Sequence, residues 1–385
     1  MTSVIGPHNG EHGVSGRRPS RLVYSEAPIL IYWETTRACD LACRHCRAEA
    51  HAERDPNELT TSEGKALLEK LRGFGKRAPH LVLTGGDPLK RPDFFTLLEH
   101  SAKLGFRLSV APSGTDALTQ EVLRRFKNCG VESISLSFDG STPERHDGFR
   151  GVPGCFVRTV EAARAARAEG LDLQINSLVT MQTREDLPEI YRLVSGLDVM
   201  RWSLFFLIQV GRGQGIREIS PEEVESVHNW LYDLSKEAPS AIATTEAPHF
   251  RRVALTRMKA EGIPLAKIRE TSVGRGFGIR DGNGIMFISH TGEVYPAGFL
   301  PLVAGNVRSA DVVEIYRESP VFKRIRDTAQ FGGRCGRCEF RETCGGSRAR
   351  AYAAYGDPLA EDPACGYQPG EYGLQLVNLA DERAS

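Results

Sequence analysis

Apolar residues along the chain fall into two alternating rhythms. Short runs of strand length, Ile29–Trp33, His80–Thr84, Phe106–Ala111, Glu132–Phe138, Leu171–Val179 and Trp202–Ile208, are separated by longer stretches with helical spacing. The first run is continuously apolar, the pattern of a strand buried on both faces. The helical stretches run from Thr60 to Arg72, Pro92 to Leu104, Asp116 to Asn128, Gly154 to Glu169, Arg184 to Ser195 and Pro221 to Lys236. Their ends carry matching signals: Thr60-Thr61-Ser62-Glu63 has the form of a capping box, and Gly130 and Gly170 follow as stops. Six strands alternating with six helices predict parallel βα units. Right-handed crossovers curl such units into a barrel or a doubly wound sheet, and periodicity does not choose between them.

The pattern changes after this core, which occupies residues 22–238. Residues 239–275 read as a helical linker with basic runs such as Arg251-Arg252, the usual mark of a solvated face. Residues 276–370 form a second, cysteine-rich unit that opens with a hairpin, Gly284–Ser289 and Gly292–Tyr295. Residues 1–21 lack an apolar signal core and read as a disordered arm, and 371–385 as a C-terminal tail.

Composition narrows the partners. Of 385 residues, Lys+Arg and Asp+Glu are both 49, so no net field draws the chain to nucleic acid or an anionic membrane. No apolar run is long enough to span a bilayer. Nine cysteines without a secretion signal imply a reducing, cytoplasmic setting, and their clustering suits metal binding better than disulfides. Cys129 and Cys155 stand apart and read as small buried residues.

Two cysteine groups carry the chemistry. Cys39, Cys43 and Cys46 follow the first strand at spacing C-x3-C-x2-C. Three thiolates can hold three irons of a four-iron, four-sulfur cluster and leave the fourth iron open. A zinc knuckle completed by His45 is the structural alternative. Cys335, Cys338, Cys344 and Cys365 supply four ligands, enough for a closed cluster or a structural zinc. Polar residues gather at or near strand ends: Gly85-Gly86-Asp87, Ser113, Ser137 before Asp139-Gly140, and Asn176. Glycine lets a ligand approach closely, and a carboxylate beside it can accept from an ammonium group. Alone, each of these also fits an ordinary βα turn. Gly211-Arg212-Gly213-Gln214-Gly215 lacks phosphate-loop spacing and reads as a mobile loop after the sixth strand.

Together these motifs resemble the radical S-adenosylmethionine (SAM) enzymes with a C-terminal SPASM-type extension. The carrying residues are the C-x3-C-x2-C loop, Gly85-Gly86-Asp87 in place of the family's Gly-Gly-Glu, and Gly333–Tyr352 with its C-x2-C-x5-C run. The resemblance implies an α/β fold, a partial (β/α)6 TIM-like barrel, with its site at the carboxyl ends of the strands. It implies a SAM-binding four-iron cluster on Cys39, Cys43 and Cys46, whose electron cleaves SAM to a 5′-deoxyadenosyl radical that takes hydrogen from a substrate. Gly85, Gly86, Asp87, Ser113, Ser137, Arg150 and Asn176 then match SAM contacts, with Asp87 accepting from the SAM ammonium. Cys335, Cys338, Cys344 and Cys365 match one auxiliary four-iron cluster. Ala297 and Ser347 stand where the family places cysteines for a second, so one is expected. An electron donor such as flavodoxin or ferredoxin is implied. Pro112–Thr115, Phe149–Gly154, Phe205–Leu207 and Gly345–Tyr352 look most like the branch of heme d1 and alternative heme biosynthesis, which alters tetrapyrrole side chains. The alternative is a SPASM-type maturase of a ribosomally made peptide, for which the short stretch before the first strand leaves no leader-binding domain. No residue is marked as catalytic acid, base or radical relay.

Overall fold

The computed structural model describes residues 23–370; the arm over 1–21 and the tail over 371–385 lie outside the described residues. Strands β1 (Leu30–Glu34), β2 (His80–Thr84), β3 (Arg107–Val110), β4 (Val131–Ser137), β5 (Asp172–Val179), β6 (Arg201–Phe206) and β7 (Ala241–Thr245) lie side by side in chain order, all parallel. The helices packed around them are α1 (Thr61–Leu71), α2 (Phe94–Lys103), α3 (Gln120–Asn128), α4 (Pro143–Arg150), α5 (Cys155–Ala168), α6 (Leu187–Ser195), α7 (Pro221–Glu237) and α8 (Phe250–Ala260). Two capping boxes start helices, the first of them where the sequence suggests it. Thr60 and Glu63 close α1, and Ser220 and Glu223 close α7 with Pro221 in its first turn. Each N-cap contributes about 1 kcal/mol.

Two expectations about boundaries change. The segment read as a helical linker begins with a strand: β7 pairs with β6 from Arg201↔Ala241 to Phe205↔Thr245. Ala-Ile-Ala-Thr-Thr is too short and too weakly apolar to announce itself, so only the waiting edge of β6 reveals it. The hairpin of the second unit is no separate sheet. Its first strand, β8 (Ile285–Ile288), pairs parallel with β1, and β9 (Glu293–Tyr295) and β10 (Gly305–Asn306) continue antiparallel. Ten strands make one continuous sheet in the order β10-β9-β8-β1-β2-β3-β4-β5-β6-β7.

The pleat explains what each face does. Ile31, Trp33, Leu81, Leu83, Leu108, Val110, Ile134, Leu136, Leu173, Ile175, Trp202 and Leu204 alternate outward and are buried under Leu67, Leu97, Phe126, Ala163, Ile190 and Leu231 of the helices. Each fully buried side chain of this size stabilises the fold by about 1.5–3 kcal/mol. The opposite face is polar. Aligned registers set Ser135 beside Gln174 and Arg201, and Ser137 beside Asn176 and Ser203. That polar face is the floor of the site described next.

Candidate active site

The first cysteine loop leaves the carboxyl end of β1 and is clamped on three sides. Gly86 N donates to Thr36 O (2.8 Å) and Asp87 N to Ala38 O (2.7 Å). A Cβ on Gly86 would stand 2.5 Å from Ala38 O, so only glycine lets the two turns meet. The end of α4 supplies the second side, where Ala42 N and Arg44 N donate to Arg150 O and Phe149 O. The Gly-rich loop after β6 supplies the third: Arg212 N donates to Cys46 O (3.1 Å). Finally, Arg47 pairs with Glu34 at 2.7 Å and lies over Phe287 of β8, tying the cysteine loop to the second unit.

Sulfur contacts bring several expected residues together. Ser113 Oγ lies 3.4 Å from Cys39 Sγ and donates to Gly86 O at 3.0 Å. Arg150 donates to Cys43 Sγ at 3.5 Å and pairs with the buried Asp139 at 2.6 Å. Burial alone would lower the Arg150 pKa, but the carboxylate of Asp139 and the Cys43 sulfur more than offset it, so this guanidinium stays charged. Burial pushes the Cys39 thiol up to about 11, partly countered by hydrogen bonds from Ser113 and the Leu41 amide. A metal would have to draw that proton off, because the thiolate is the ligand. His45, the alternative zinc ligand, packs on Phe149 and faces Asp139 at 3.6 Å; burial lowers it to about 4.

A cavity of about 890 Å³ opens beside this loop. Cys46, Gly85, Gly86, Ser113, Ser137, Arg150 and Asn176 all line it. Asp87 does not line it. Its carboxylate is 0 % exposed and accepts from Leu89 N (3.1 Å) and Thr115 Oγ1 (3.0 Å). Burial raises its pKa. The expectation that Asp87 accepts from the SAM ammonium therefore changes: the shorter side chain turns back into its own βα turn and braces it. Asn176 Oδ1 accepts from Gln174 Nε2 (2.8 Å), which fixes its amide toward the cavity floor.

The second cysteine group rings a smaller cavity shared with Phe340, His249 and Arg252. Backbone amides point at its sulfurs: Phe340 N donates to Cys338 Sγ (3.4 Å) and Asp362 N to Cys335 Sγ (3.3 Å), and Arg348 donates to Cys335 Sγ at 3.5 Å. Burial pushes Cys338 up to about 12 and Cys365 to about 11, and raises Cys344 further. Four thiols surround this space. That donor set fits a four-iron cluster or a four-thiolate zinc. Gly346 lines both cavities, and a Cβ added to it would lie 3.1 Å from Cys335 Sγ. Gly346 thus borders both sites.

Sequence reading missed the far end of the large cavity. Glu246, Asp281 and Arg280 line it beside Ala297 and Ser347. Ser347 Oγ donates to Glu246 Oε2 (2.6 Å), and Asp281 accepts from Ala349 N (2.9 Å). Burial, followed by the neighbouring Asp281 charge, raises the Glu246 carboxyl to about 8. Only the departure from cysteine at positions 297 and 347 hinted at this corner.

Comparison with known proteins agrees with this geometry. Residues 33–194 match the radical SAM superfamily. The chain is 38% identical over 350 residues to the AdoMet-dependent heme synthase of Methanosarcina barkeri, covering 91% of this chain and 99% of that protein. It is 40% identical to the AdoMet-dependent heme synthase of Nitratidesulfovibrio vulgaris, over 95% and 98%. The Fe-coproporphyrin III synthase of Methanosarcina barkeri is 28% identical over 93% of each chain. Among solved structures, Streptococcus suis SuiB bound to S-adenosylmethionine shares the fold with a TM-score of 0.70 at 17% identity, over 89% of this chain and 78% of that one. SuiB bound to its precursor peptide SuiA gives 0.67 at 18%, over 89% and 76%.

Proposed function

This chain belongs to the radical SAM superfamily, and from that membership we propose that it modifies the carboxylate-bearing side chains of an iron tetrapyrrole. As a radical SAM enzyme it uses S-adenosylmethionine, a four-iron cluster and a reductant. Bound together, cluster and SAM supply a 5′-deoxyadenosyl radical by one-electron cleavage.

The protein's part is to hold and orient. Cys39, Cys43 and Cys46 would hold the SAM-binding cluster in a loop too tightly clamped to drift. Arg150, charged and anchored on Asp139, faces the Cys43 sulfur and can meet a SAM carboxylate. Ser113, Ser137 and Asn176 offer hydroxyl and amide groups on one polar floor, and Gly85 and Gly86 leave room for close approach. Cys335, Cys338, Cys344 and Cys365 would hold one auxiliary cluster. Asp87 braces the turn that shapes this seat.

One observation carries the oxidative reading: Gly346 lines both the large cavity and the four-thiol cavity. A substrate in the large cavity lies next to whatever those thiols hold, the arrangement that removal of a further electron requires. The volume of about 890 Å³ is at the upper end for a small-molecule site and suits a macrocycle. The electron donor is proposed to be a flavodoxin or ferredoxin, and the compartment the cytoplasm. Peptide maturation remains the second reading, because SuiB shares this fold and was solved with a peptide.

The test compares two cysteine variants. Cys43→Ala removes one of three ligands and should abolish SAM cleavage. Cys338→Ala should keep uncoupled cleavage to 5′-deoxyadenosine but lose conversion of iron coproporphyrin III. A folded Cys338→Ala protein that converts this substrate at full rate would reduce the auxiliary site to a structural role. A wild-type protein that leaves every tetrapyrrole unchanged, yet crosslinks a peptide, would establish the second reading.

A further inference from the structure

The large cavity follows the strands down to their amino ends, away from the cysteine loop. Leu30, Arg107 and Arg201 line it there, the first residues of β1, β3 and β6. Arg201 belongs to the lumen face: Trp202 and Leu204 turn outward into the core, while Ser203 and Phe205 line the cavity with it. Seven arginines line this cavity. Three are paired with carboxylates, Arg47 with Glu34, Arg107 with Glu132 and Arg150 with Asp139, at 2.6–2.7 Å. Three more, Arg251, Arg275 and Arg280, donate to backbone carbonyls. Arg201 is the seventh, and among the described residues no hydrogen bond, ion pair or ring contact engages its guanidinium. Its neighbours in the register, Gln174 of β5 and Ala241 of β7, are neutral. The cavity's two carboxylic acids, Glu246 and Asp281, are held by Ser347 Oγ and Ala349 N, and neither pairs with Arg201. In a flat sheet β6 would lie about 19 Å from β2, four strands away. Yet the charge of Arg201 reaches both β1 and β2. Burial raises the pKa of Tyr32 and Arg201 opposes it; burial, Arg107 and Arg201 lower that of His80. The sheet has curved until this guanidinium leans over the lumen.

We propose that Arg201 binds a carboxylate of the tetrapyrrole, one on the side of the ring away from the reacting side chain. The inference rests on the tetrapyrrole reading and names the group that holds the far edge of the macrocycle. Arg201 stands four residues before Phe205, about 13 Å down the strand from the end where Cys46 and Arg150 lie. A ring that spans the cavity presents one carboxylate-bearing edge to the cysteine loop and the opposite edge to Arg201. The guanidinium offers two parallel N–H donors that match both oxygens of a carboxylate. Every other arginine of the cavity already donates to the protein, so Arg201 is the one whose full set of donors is free for a ligand.

The experiment titrates iron coproporphyrin III, and its tetramethyl ester, into the cluster-loaded protein and reads the Soret band. Arg201→Gln removes a charge that holds nothing in the protein itself, so the variant should melt as wild type does, with the same iron content and SAM affinity. It should bind the tetra-acid about tenfold or more weakly, the worth of one charge-assisted hydrogen bond. Arg201→Lys keeps the charge without the planar fork and should recover part of that loss. Arg201→Glu sets like charges together and should bind the tetra-acid more weakly than Arg201→Gln. The ester, which carries no carboxylate, should bind wild type and Arg201→Gln alike. Equal binding of the tetra-acid by wild type and Arg201→Gln, or an equal loss for acid and ester, overturns the proposal and leaves the tetrapyrrole reading standing. No binding of either porphyrin by wild type instead overturns the tetrapyrrole reading, and the proposal with it.

Discussion

At the residue scale, Asp87 shows how a motif can keep its place and change its work. A carboxylate in a Gly-Gly-acid turn invites the assignment of a ligand contact, yet this one is wholly buried against Leu89 N and Thr115 Oγ1. Asp87→Ala strips the hydrogen bonds from Leu89 N, Ser113 N and Thr115 Oγ1 and leaves their donors unmet, at about 1–3 kcal/mol. The expected outcome is a lower denaturation midpoint, with SAM affinity of the folded fraction changed by less than about tenfold. Calorimetric titration of SAM checks this, and a larger loss with unchanged stability would return Asp87 to the SAM site. Arg150 and Asp139 form the opposite case. Removing the charge of Asp139 strands a buried guanidinium beside Cys43, so Asp139→Ala should destabilise by about 3–5 kcal/mol. Denaturant unfolding of the iron-free protein measures that directly.

At the element scale, β8 joins the two units. His290, just past its end, sits between Glu34 at the end of β1 (2.8 Å) and Asp55 (3.2 Å). Burial disfavours its charged form, but the two carboxylates outweigh this and raise its pKa. A raised histidine contributes stability below its unfolded pKa of about 6.5, and loses that contribution as pH rises through the folded value. His290→Gln should therefore cost more at about pH 6 than at about pH 8.5, and urea midpoints at the two pH values give the comparison. Since Glu34 also holds Arg47 of the cysteine loop, the variant should loosen the first cluster site as well. Strand β7 teaches a related lesson. Four of its five residues are only partly buried, and the hydrogen-bonding edge of β6 rather than its own sequence makes it a strand.

At the scale of the whole molecule, two groups of cysteines face two cavities that share a wall. Anaerobic reconstitution should give about eight irons per chain, from two four-iron clusters. About twelve would mean that Ala297 and Ser347 do not preclude a third, and about four with bound zinc would restore a structural zinc on the second group. Removing iron should do more than silence the enzyme. Four thiols pack around this cavity, and burial raises the pKa values of Cys338, Cys344 and Cys365, so chelation should expose residues 333–370 to protease before the barrel. Limited proteolysis with and without chelator follows this, and equal resistance would show that the unit folds without its cluster.

What the sequence determined by itself was whatever depends on neighbours along the chain. The C-x3-C-x2-C and C-x2-C-x5-C spacings, the capping box at Thr60, and six of the seven core strands are local patterns, and local chemistry is enough to read them. Ser113, Ser137 and Asn176 stood out as polar residues at or near strand ends, and Arg150 through the family resemblance; all four line the large cavity. Tertiary structure decided the direction in which side chains point and which distant segments meet. It turned Asp87 inward, because Thr115 lay within reach. It extended the sheet on both edges, with β7 and β8, because exposed strand edges demand partners. It also brought Glu246, Asp281 and Ser347, scattered over about a hundred residues, into one corner. No spacing rule links such residues, since the contacts that join them form only once the sheet has curved and the second unit has packed across it.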